Sequence, residues 1–199
     1  MTKITESMKI ENKGVVAFHF KYRWMYEHTP RFQLLAGFCA CFRRILSVGC
    51  AGYEPILIKA THACDVVELS HKLLTSQGWG GDFTVCSCDD LPYPAKSFDV
   101  AICSEVIEHL DNYDMVQKTF DELDRVAHNW VITTPCNPLG ELNPEKTHRF
   151  AFSREQLKAF ANFTKTKIYK DSIYYYVVKS ENEKATEIFD RHFKAQELL

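Results

Sequence analysis

Residues 45–54, ILSVGCAGYE, form an apolar run that leads into a glycine-containing turn and then into a helical pattern. Gly49 and Gly52 have no Cβ, so the backbone of this turn can approach a ligand closely and adopt positive φ at little cost. The three-glycine spacing of the dinucleotide fingerprint is absent. A G-x-x-G after a strand is often only a tight turn, so this stretch alone leaves ligand binding open.

Outward from this turn, short apolar runs alternate with helical patterns. The runs predicted to be strands are RRILSVGC (43–50), DVVEL (65–69), DFTVC (82–86), FDVAICS (98–104) and WVITT (130–134). The helical patterns lie near residues 54–61, 70–77, 112–127 and 153–162. Strands joined by such helices pair in parallel, because a parallel return needs a connection of about a dozen residues. The pattern therefore predicts an α/β fold with a doubly wound, mostly parallel sheet.

The C-terminal part of the chain departs from this alternation. TKIYKDSIYYYVVK (166–179) has two β-rich runs separated only by Lys170-Asp171-Ser172, a link too short for a parallel crossover. We expect an antiparallel C-terminal hairpin that completes a seven-stranded sheet. The tail after it has apolar residues at the spacing of one helix face. The chain is thus divided into an N-terminal extension or cap (1–28), the α/β domain (29–180) and a C-terminal helix (181–199).

Length and composition indicate one globular domain with a substantial core. The chain has 199 residues, of which 46% are hydrophobic and 25% charged. A net charge of -2 provides no global attraction to nucleic acid or anionic lipid. A local basic group is interpreted as a solvated face, with an acceptor-binding surface as the alternative. It comprises Lys21, Arg23, Arg31, Arg43 and Arg44.

No apolar run approaches the roughly eighteen residues that a spanning helix needs. The start MTKITESMKIENKG lacks the apolar core of a secretion signal, so a cytoplasmic protein with no membrane span is expected. The eight cysteines include no C-x-x-C pair, and several lie in apolar runs. They are predicted to be reduced and buried rather than zinc ligands or disulfide partners.

The second predicted strand, DVVEL, carries a carboxylate near its end. If the strand runs over residues 65–69, Glu68 lies at its tip and can accept hydrogen bonds from both hydroxyls of a ribose. An acidic residue about twenty positions after a glycine turn is typical of ribose recognition. Alternatively, Glu68 is a charge at a helix N-terminus that answers the helix dipole.

Three segments in order, ILSVGCAGYE (45–54), DVVELS (65–70) and DDLPYPAKSFDVAICSEVIEHL (89–110), resemble the class I S-adenosylmethionine-dependent methyltransferases. The resemblance covers roughly residues 30 to 180, and its third segment is the most specific. It implies a Rossmann-like methyltransferase fold with S-adenosyl-L-methionine as the cofactor.

The resemblance also implies where the cofactor binds. The loop under the methionine and adenosine is Gly49, Cys50, Ala51 and Gly52, with Glu68 and the adjacent Leu69 at the ribose and Ser104, Glu105 and Val106 at the methionine end. Two positions depart from the family pattern. Ala51 replaces a glycine, which suits binding if its φ is negative. Ser87 stands where an aspartate often contacts the adenine, leaving the Cys88 amide and Asp89 as candidates.

Methyl transfer to a hydroxyl needs a general base or a metal, whereas a deprotonated thiol or amine needs only to be positioned toward the methyl carbon. If a helix begins just after Ser104, then Glu105, Glu108 and His109 of SEVIEHL project from one face. His148 could complete a set of ligands for magnesium or manganese. Of these four, Glu105, His109 and His148 are also the candidate catalytic residues.

The E-x-x-E-H arrangement is similar to that of methyltransferases that modify the 2′-hydroxyl at the 3′ end of small RNAs, and HRFAFSR (148–154) is loosely similar to their second histidine segment. Related helices occur in quinone-biosynthesis O-methyltransferases. The alternative is that Glu105 borders the cofactor, Glu108 is solvated and His109 is a packing residue. The loop from Pro135 to Thr147 is either a lid over the acceptor or a plain irregular excursion.

These features predict a methyltransferase that acts on a small-molecule acceptor at oxygen. A metal-dependent RNA 2′-O-methyltransferase is the first alternative. The second is a catalytically silent subunit that binds the cofactor or a partner protein, because a fold alone does not establish activity.

Overall fold

The chain alternates strands and helices around one sheet. A computed structural model describes residues 30–51, 53–136 and 148–196. The strands are β1 (Ile45–Val48), β2 (His62–Asp65), β3 (Asp82–Val85), β4 (Phe98–Ser104), β5 (Ala127–Pro135), β6 (Thr166–Lys170) and β7 (Tyr174–Lys179). The helices are α1 (Pro30–Cys39), α2 (Glu54–Leu57), α3 (Glu68–Ser76), α4 (Tyr113–Val126), α5 (Arg154–Phe160) and α6 (Glu183–Gln196), with a short 3-10 helix at Ile107–His109.

The sheet has the order β3-β2-β1-β4-β5-β7-β6. Strands β1 to β5 pair in parallel, and β7 is antiparallel to both β5 and β6. The chain winds outward from β1 to β3 and then returns to β4 on the other side of β1. Ligands of open α/β sheets bind at such a reversal, at the carboxyl ends of the strands. The predicted doubly wound fold with an antiparallel hairpin is confirmed.

The predicted bounds of the second strand are wrong. The strand is His62–Asp65 rather than residues 65–69, and Glu68 begins α3 instead of ending the strand. Val66 and Val67 suggested a strand by their β propensity, but the less apolar HACD forms the ladder with β1 and β3. Pairing within a sheet outweighs such local propensity. The strand tip therefore belongs to Asp65.

Helix α6 buries an aromatic side chain in the core. Its contacts are with α1 and β6. Phe189 is fully buried, with its ring 5.3 Å from that of Phe38 and 5.4 Å from that of Tyr169, centroid to centroid. Tyr176 of β7 lies 5.9 Å from the same ring. The helix thus covers one face of the sheet together with α1.

Phe189→Ala is expected to lower the free energy of unfolding by about 3–5 kcal/mol, because it leaves a cavity among the rings of Phe38, Tyr169 and Tyr176. Glu187→Ala, at an exposed position of the same helix, should change it by no more than about 0.5 kcal/mol. Denaturant unfolding followed by circular dichroism measures both. Equal midpoints for the two variants would contradict the placement of α6 in the core.

Several predicted features lie outside the described residues: the extension 1–28, Gly52, and residues 137–147 of the predicted lid. No helix in the described ranges is long and apolar enough to cross a bilayer. All eight cysteines fall within those ranges, and none is joined in a disulfide.

Candidate active site

The turn after β1 touches the tip of β4. Gly49 has φ +68°, and a Cβ added to it would lie 2.3 Å from Cγ2 of Val106, the second residue after β4. Its backbone N–H donates to the carbonyl of Cys64 in β2, at 2.9 Å. Only glycine fits here, because the position requires both a left-handed backbone and a close approach. The turn therefore joins the tips of β1, β2 and β4.

Ala51 does not have the negative φ that was expected of it. Its φ is +46°, in the left-handed region. The backbone N–H of Ala51 donates to Oδ2 of Asp65 at 3.1 Å, and this hydrogen bond holds the turn in place. The left-handed conformation costs a non-glycine residue about 1 kcal/mol.

Asp65 provides the carboxylate at the tip of β2. Its side chain is buried and accepts hydrogen bonds from the N–H groups of Ala51 and Val67 and from the Ser70 hydroxyl. Burial raises the pKa of Asp65, and these hydrogen bonds oppose the rise. Oδ1 accepts from the N–H of Val67, and a carboxylate oxygen has capacity for more than one donor.

Glu68, the carboxylate predicted at this tip, is exposed in the first turn of α3. This position matches the alternative interpretation, in which its negative charge interacts favourably with the helix dipole. Leu69 follows it in the same turn and is half-buried. Glu68 therefore begins the helix after β2 instead of ending the strand, as its assignment to a ribose had assumed.

The segment after β3 carries the candidate adenine contacts. Ser87, Cys88 and Asp89 are all buried. The Ser87 hydroxyl donates to Oδ1 of Asp89, and Thr119 donates to the Cys88 sulfur at 3.3 Å. A carboxylate thus lies beside the position at which serine replaces the family's aspartate.

The tip of β4 is a network of buried polar groups. The hydroxyls of Ser104 and Thr133 lie 2.9 Å apart, and Thr133 donates to Oε1 of Glu105 at 3.1 Å. The same Oε1 lies 3.0 Å from Nη1 of Arg31. Burial raises the pKa of Glu105, and Arg31 opposes the rise.

The expectation that a helix begins directly after Ser104 is wrong. Glu105 has φ +57°, and the helical turn covers only Ile107–His109. Because the left-handed residue precedes that turn, Glu105 does not share a helical face with Glu108 and His109. Its carboxyl group faces Arg31 and Thr133 instead.

Glu108, His109 and His148 form a cluster in which one potential ligand atom of each lies within 4.8 Å of the others. The imidazole rings of His109 and His148 are 4.8 Å apart, centroid to centroid. The N–H groups of Arg149 and Phe150 donate to the Glu108 carbonyl at 2.7 and 3.2 Å. Those hydrogen bonds tie the segment after His148 to the turn that carries Glu108.

Burial shifts the pKa values of two members of this cluster. Burial raises the pKa of Glu108 to about 7. Burial and the neighbouring His109 lower the pKa of His148 to about 4, so His148 is neutral at neutral pH and has a free lone pair. Oε2 of Glu108 accepts from Thr134 at 3.2 Å, whereas Oε1 is buried with no hydrogen-bond partner among the described residues. A buried carboxylate oxygen without a hydrogen-bond partner is rare in folded proteins, which indicates that a ligand binds there.

The family model described as "Methyltransferase domain" matches residues 46–129. That range contains the glycine turn, Asp65, the segment after β3 and the tip of β4 with Glu108 and His109. Residues 46–129 thus match a methyltransferase domain, and the fold is that of solved S-adenosylmethionine-dependent methyltransferases. No curated protein matches its sequence.

Solved methyltransferases share the fold at low identity. A S-adenosylmethionine-dependent methyltransferase from Archaeoglobus fulgidus is 18% identical, with a TM-score of 0.64 over 81% of this chain and 97% of that one. The N-methyltransferase NodS from Bradyrhizobium japonicum, in complex with S-adenosyl-L-homocysteine, is 14% identical, with a TM-score of 0.64 over 87% and 98%. The 1,6-didemethyltoxoflavin-N1-methyltransferase of Burkholderia thailandensis is 15% identical, with a TM-score of 0.59 over 86% of each chain.

Sequence reasoning missed two residues of this candidate site. Asp65 was assigned to the start of a strand, although an acid that follows the small apolar pair Ala63-Cys64 is also typical of a strand end. Arg31 was grouped with solvated basic residues, yet its side chain is only 4% exposed. The available signal was its place in PRFQLLAGFC, a helix with apolar residues on most faces.

Asp65→Asn is expected to weaken binding of S-adenosyl-L-homocysteine by about 10- to 150-fold, because a hydrogen bond to a charged acceptor is worth about 1.5–3 kcal/mol. The matched variant Glu68→Gln should leave the affinity unchanged, since Glu68 is exposed at the start of α3. Calorimetric titration measures both, and unfolding curves show whether Asp65→Asn also loosens the turn. The opposite pattern would restore Glu68 as the ribose carboxylate.

Proposed function

We propose that this methyltransferase transfers the methyl group of S-adenosylmethionine to a hydroxyl group of a small-molecule acceptor, with a divalent cation held by Glu108, His109 and His148. The observation that carries the proposal is the cluster of those three residues beside the tip of β4. A hydroxyl needs activation, whereas amine and thiol acceptors do not need a metal.

The cofactor is proposed to lie across the tips of β1, β2 and β4. Gly49, Cys50 and Ala51 border it, and the family pattern adds Gly52. Asp65 takes the ribose hydroxyls in place of Glu68. The adenine lies against Ser87, the Cys88 amide and Asp89, and the methionine end lies at Ser104, Glu105 and Val106.

The residues of the cluster fit a divalent cation. A carboxylate with one unpartnered oxygen and a neutral imidazole are the donor types that such ions accept. When bound, magnesium or manganese would lower the pKa of a coordinated hydroxyl. Glu105 is not assigned to the ion, because its carboxyl group is held by Arg31 and Thr133.

The remaining task of the protein is geometric. Methyl transfer is an in-line displacement, in which the acceptor oxygen must lie about 3 Å from the methyl carbon and opposite the sulfur. The O–CH₃ bond forms as the S–CH₃ bond breaks, and the hydroxyl proton leaves to solvent. The side chain of Val106 lies against Gly49, and Val106 directly precedes the 3-10 helix that carries Glu108 and His109.

Removal of the metal tests this proposal. Labelled S-adenosylmethionine is incubated with the protein and pools of hydroxyl-containing metabolites, before and after treatment with a chelator. The labelled product should disappear on chelation and return with manganese or magnesium. Calorimetric titration with manganese chloride should show a site that His148→Ala loses and that His128→Ala, at an exposed position, retains. An undiminished rate in chelator would contradict the metal.

An RNA acceptor is the second candidate, favoured by the charge of the segment that follows His148. Residues 149–170 contain one acidic residue, Glu155, and six exposed basic ones. The basic residues are Arg149, Arg154, Lys158, Lys165, Lys167 and Lys170. If the acceptor is RNA, the protein is expected to bind a short RNA with an affinity that falls steeply as the salt concentration rises. Labelling of the small-molecule pool but not of RNA would exclude this candidate.

A further inference from the structure

Arg31 is a buried cation with unused hydrogen-bonding capacity. Its guanidinium lies over the rings of Phe32 and Tyr174, 4.6 and 4.5 Å from their centroids. Nη1 is 3.0 Å from Oε1 of Glu105, an ion pair without hydrogen-bond geometry. Neither Nε nor Nη1 has a hydrogen-bond partner in the part of the chain that the structure describes. Leaving such donors buried and unsatisfied is costly, which indicates that something else engages them.

The surroundings of Arg31 place it between two parts of the candidate cofactor site. The ring of Phe32 packs edge-on against that of Tyr53, which lies at the end of the glycine turn, with 5.6 Å between centroids. Glu105, its ion-pair partner, directly follows β4. The guanidinium thus faces the gap between the turn after β1 and the tip of β4.

We propose that Arg31 binds the α-carboxylate of the cofactor's methionine moiety, while Glu105 accepts a hydrogen bond from its α-ammonium group. This inference rests on the proposed cofactor site. The planar fork of a guanidinium matches a carboxylate, and aromatic walls strengthen such a pair by excluding water. The two opposite charges, 3.0 Å apart, then recognise the two charges of an amino-acid head group.

The competing account is that Arg31 is a structural ion-pair partner of Glu105. The two accounts differ in what the loss of Arg31 does to different ligands. S-adenosyl-L-homocysteine carries the amino-acid head group, whereas 5′-methylthioadenosine has the same nucleoside and thioether without it. A structural role predicts equal losses of affinity for both ligands, because it acts through the shape of the whole site.

The test is a calorimetric titration of the full chain with each ligand. Wild-type protein should bind S-adenosyl-L-homocysteine more tightly than 5′-methylthioadenosine. Arg31→Met should weaken S-adenosyl-L-homocysteine by about 10- to 150-fold and leave 5′-methylthioadenosine within about twofold. Arg31→Lys, which keeps the charge but loses the fork, should weaken the first ligand less than Arg31→Met does. Arg191→Met, at an exposed arginine of α6, is the matched control and should change neither affinity.

Equal losses for both ligands, or no loss for either, would overturn the role of Arg31. If Arg31→Met does not fold, Arg31→Lys and the wild-type preference between the two ligands decide the question, and an absent preference overturns it. These failures leave the proposed cofactor site standing, since the wild type still binds the nucleoside. Binding of neither ligand by the wild type would instead remove the proposed cofactor site and this inference together.

Discussion

Glu108→Gln is expected to lower kcat for the labelled methyl acceptor about 1,000-fold, which corresponds to about 4 kcal/mol in the barrier. The amide keeps the size of the side chain, and it can still accept from Thr134, whose hydroxyl bonds Oε2 at 3.2 Å. It removes the carboxylate charge that faces His109 and His148. Affinity for S-adenosyl-L-homocysteine should stay within about twofold, because Glu108 is not among the residues proposed to contact the cofactor.

Glu155→Gln provides the control for this experiment. Glu155 is exposed in the first turn of α5, close in sequence to His148, and its loss should leave kcat unchanged. Manganese titration of Glu108→Gln should show a weakened site. A full rate in Glu108→Gln, with the wild type inhibited by chelator, would mean that the ion binds elsewhere. A full rate in both would remove the metal from the mechanism.

Gly49→Ala is expected to lower the free energy of unfolding by about 2–5 kcal/mol and the affinity for S-adenosyl-L-homocysteine at least about tenfold. The left-handed backbone costs a residue with a Cβ about 1–2 kcal/mol. The new methyl group would also lie 2.3 Å from Cγ2 of Val106, and relieving that overlap costs about 1–3 kcal/mol. Either Val106 or the turn must move, and both border the proposed cofactor site.

Gly78→Ala separates these two causes. Gly78 has φ +80°, but a Cβ added there meets no atom within 4 Å. It should therefore cost about 1 kcal/mol from the backbone alone, with unchanged cofactor affinity. Denaturant unfolding and calorimetry measure both variants. Equal destabilisation of the two would show that the contact between Gly49 and Val106 is loose.

The sequence predicts the architecture of this protein because its pattern depends on burial along the chain. FDVAICS, a run buried on both faces, is β4 with the predicted bounds, Phe98–Ser104. The short link after Lys170 forces the antiparallel hairpin of β6 and β7. The predicted bounds of the second strand are wrong because Val66 and Val67 have high strand propensity, whereas the N–H of Val67 donates to the Asp65 side chain in a turn.

The site is less predictable, because its side chains are oriented by contacts between distant segments. His109 and His148 were expected together, and the structure places them in one cluster with Glu108. Glu105 was expected with them, but its left-handed backbone turns its carboxyl group toward Arg31. A spacing rule that assumes a regular helix cannot anticipate one residue with φ +57°. The ion pair itself joins residues 31 and 105, and no local pattern marks it.

The most direct test of the whole account is calorimetric titration of the wild-type protein with S-adenosyl-L-homocysteine. We expect saturable binding with one site per chain, and at a ligand concentration of 100 Kd an added stability of about 2.7 kcal/mol that raises Tm. Absence of both heat and a change in Tm at millimolar ligand would contradict the assignment of Gly49, Asp65 and Arg31 to a cofactor site.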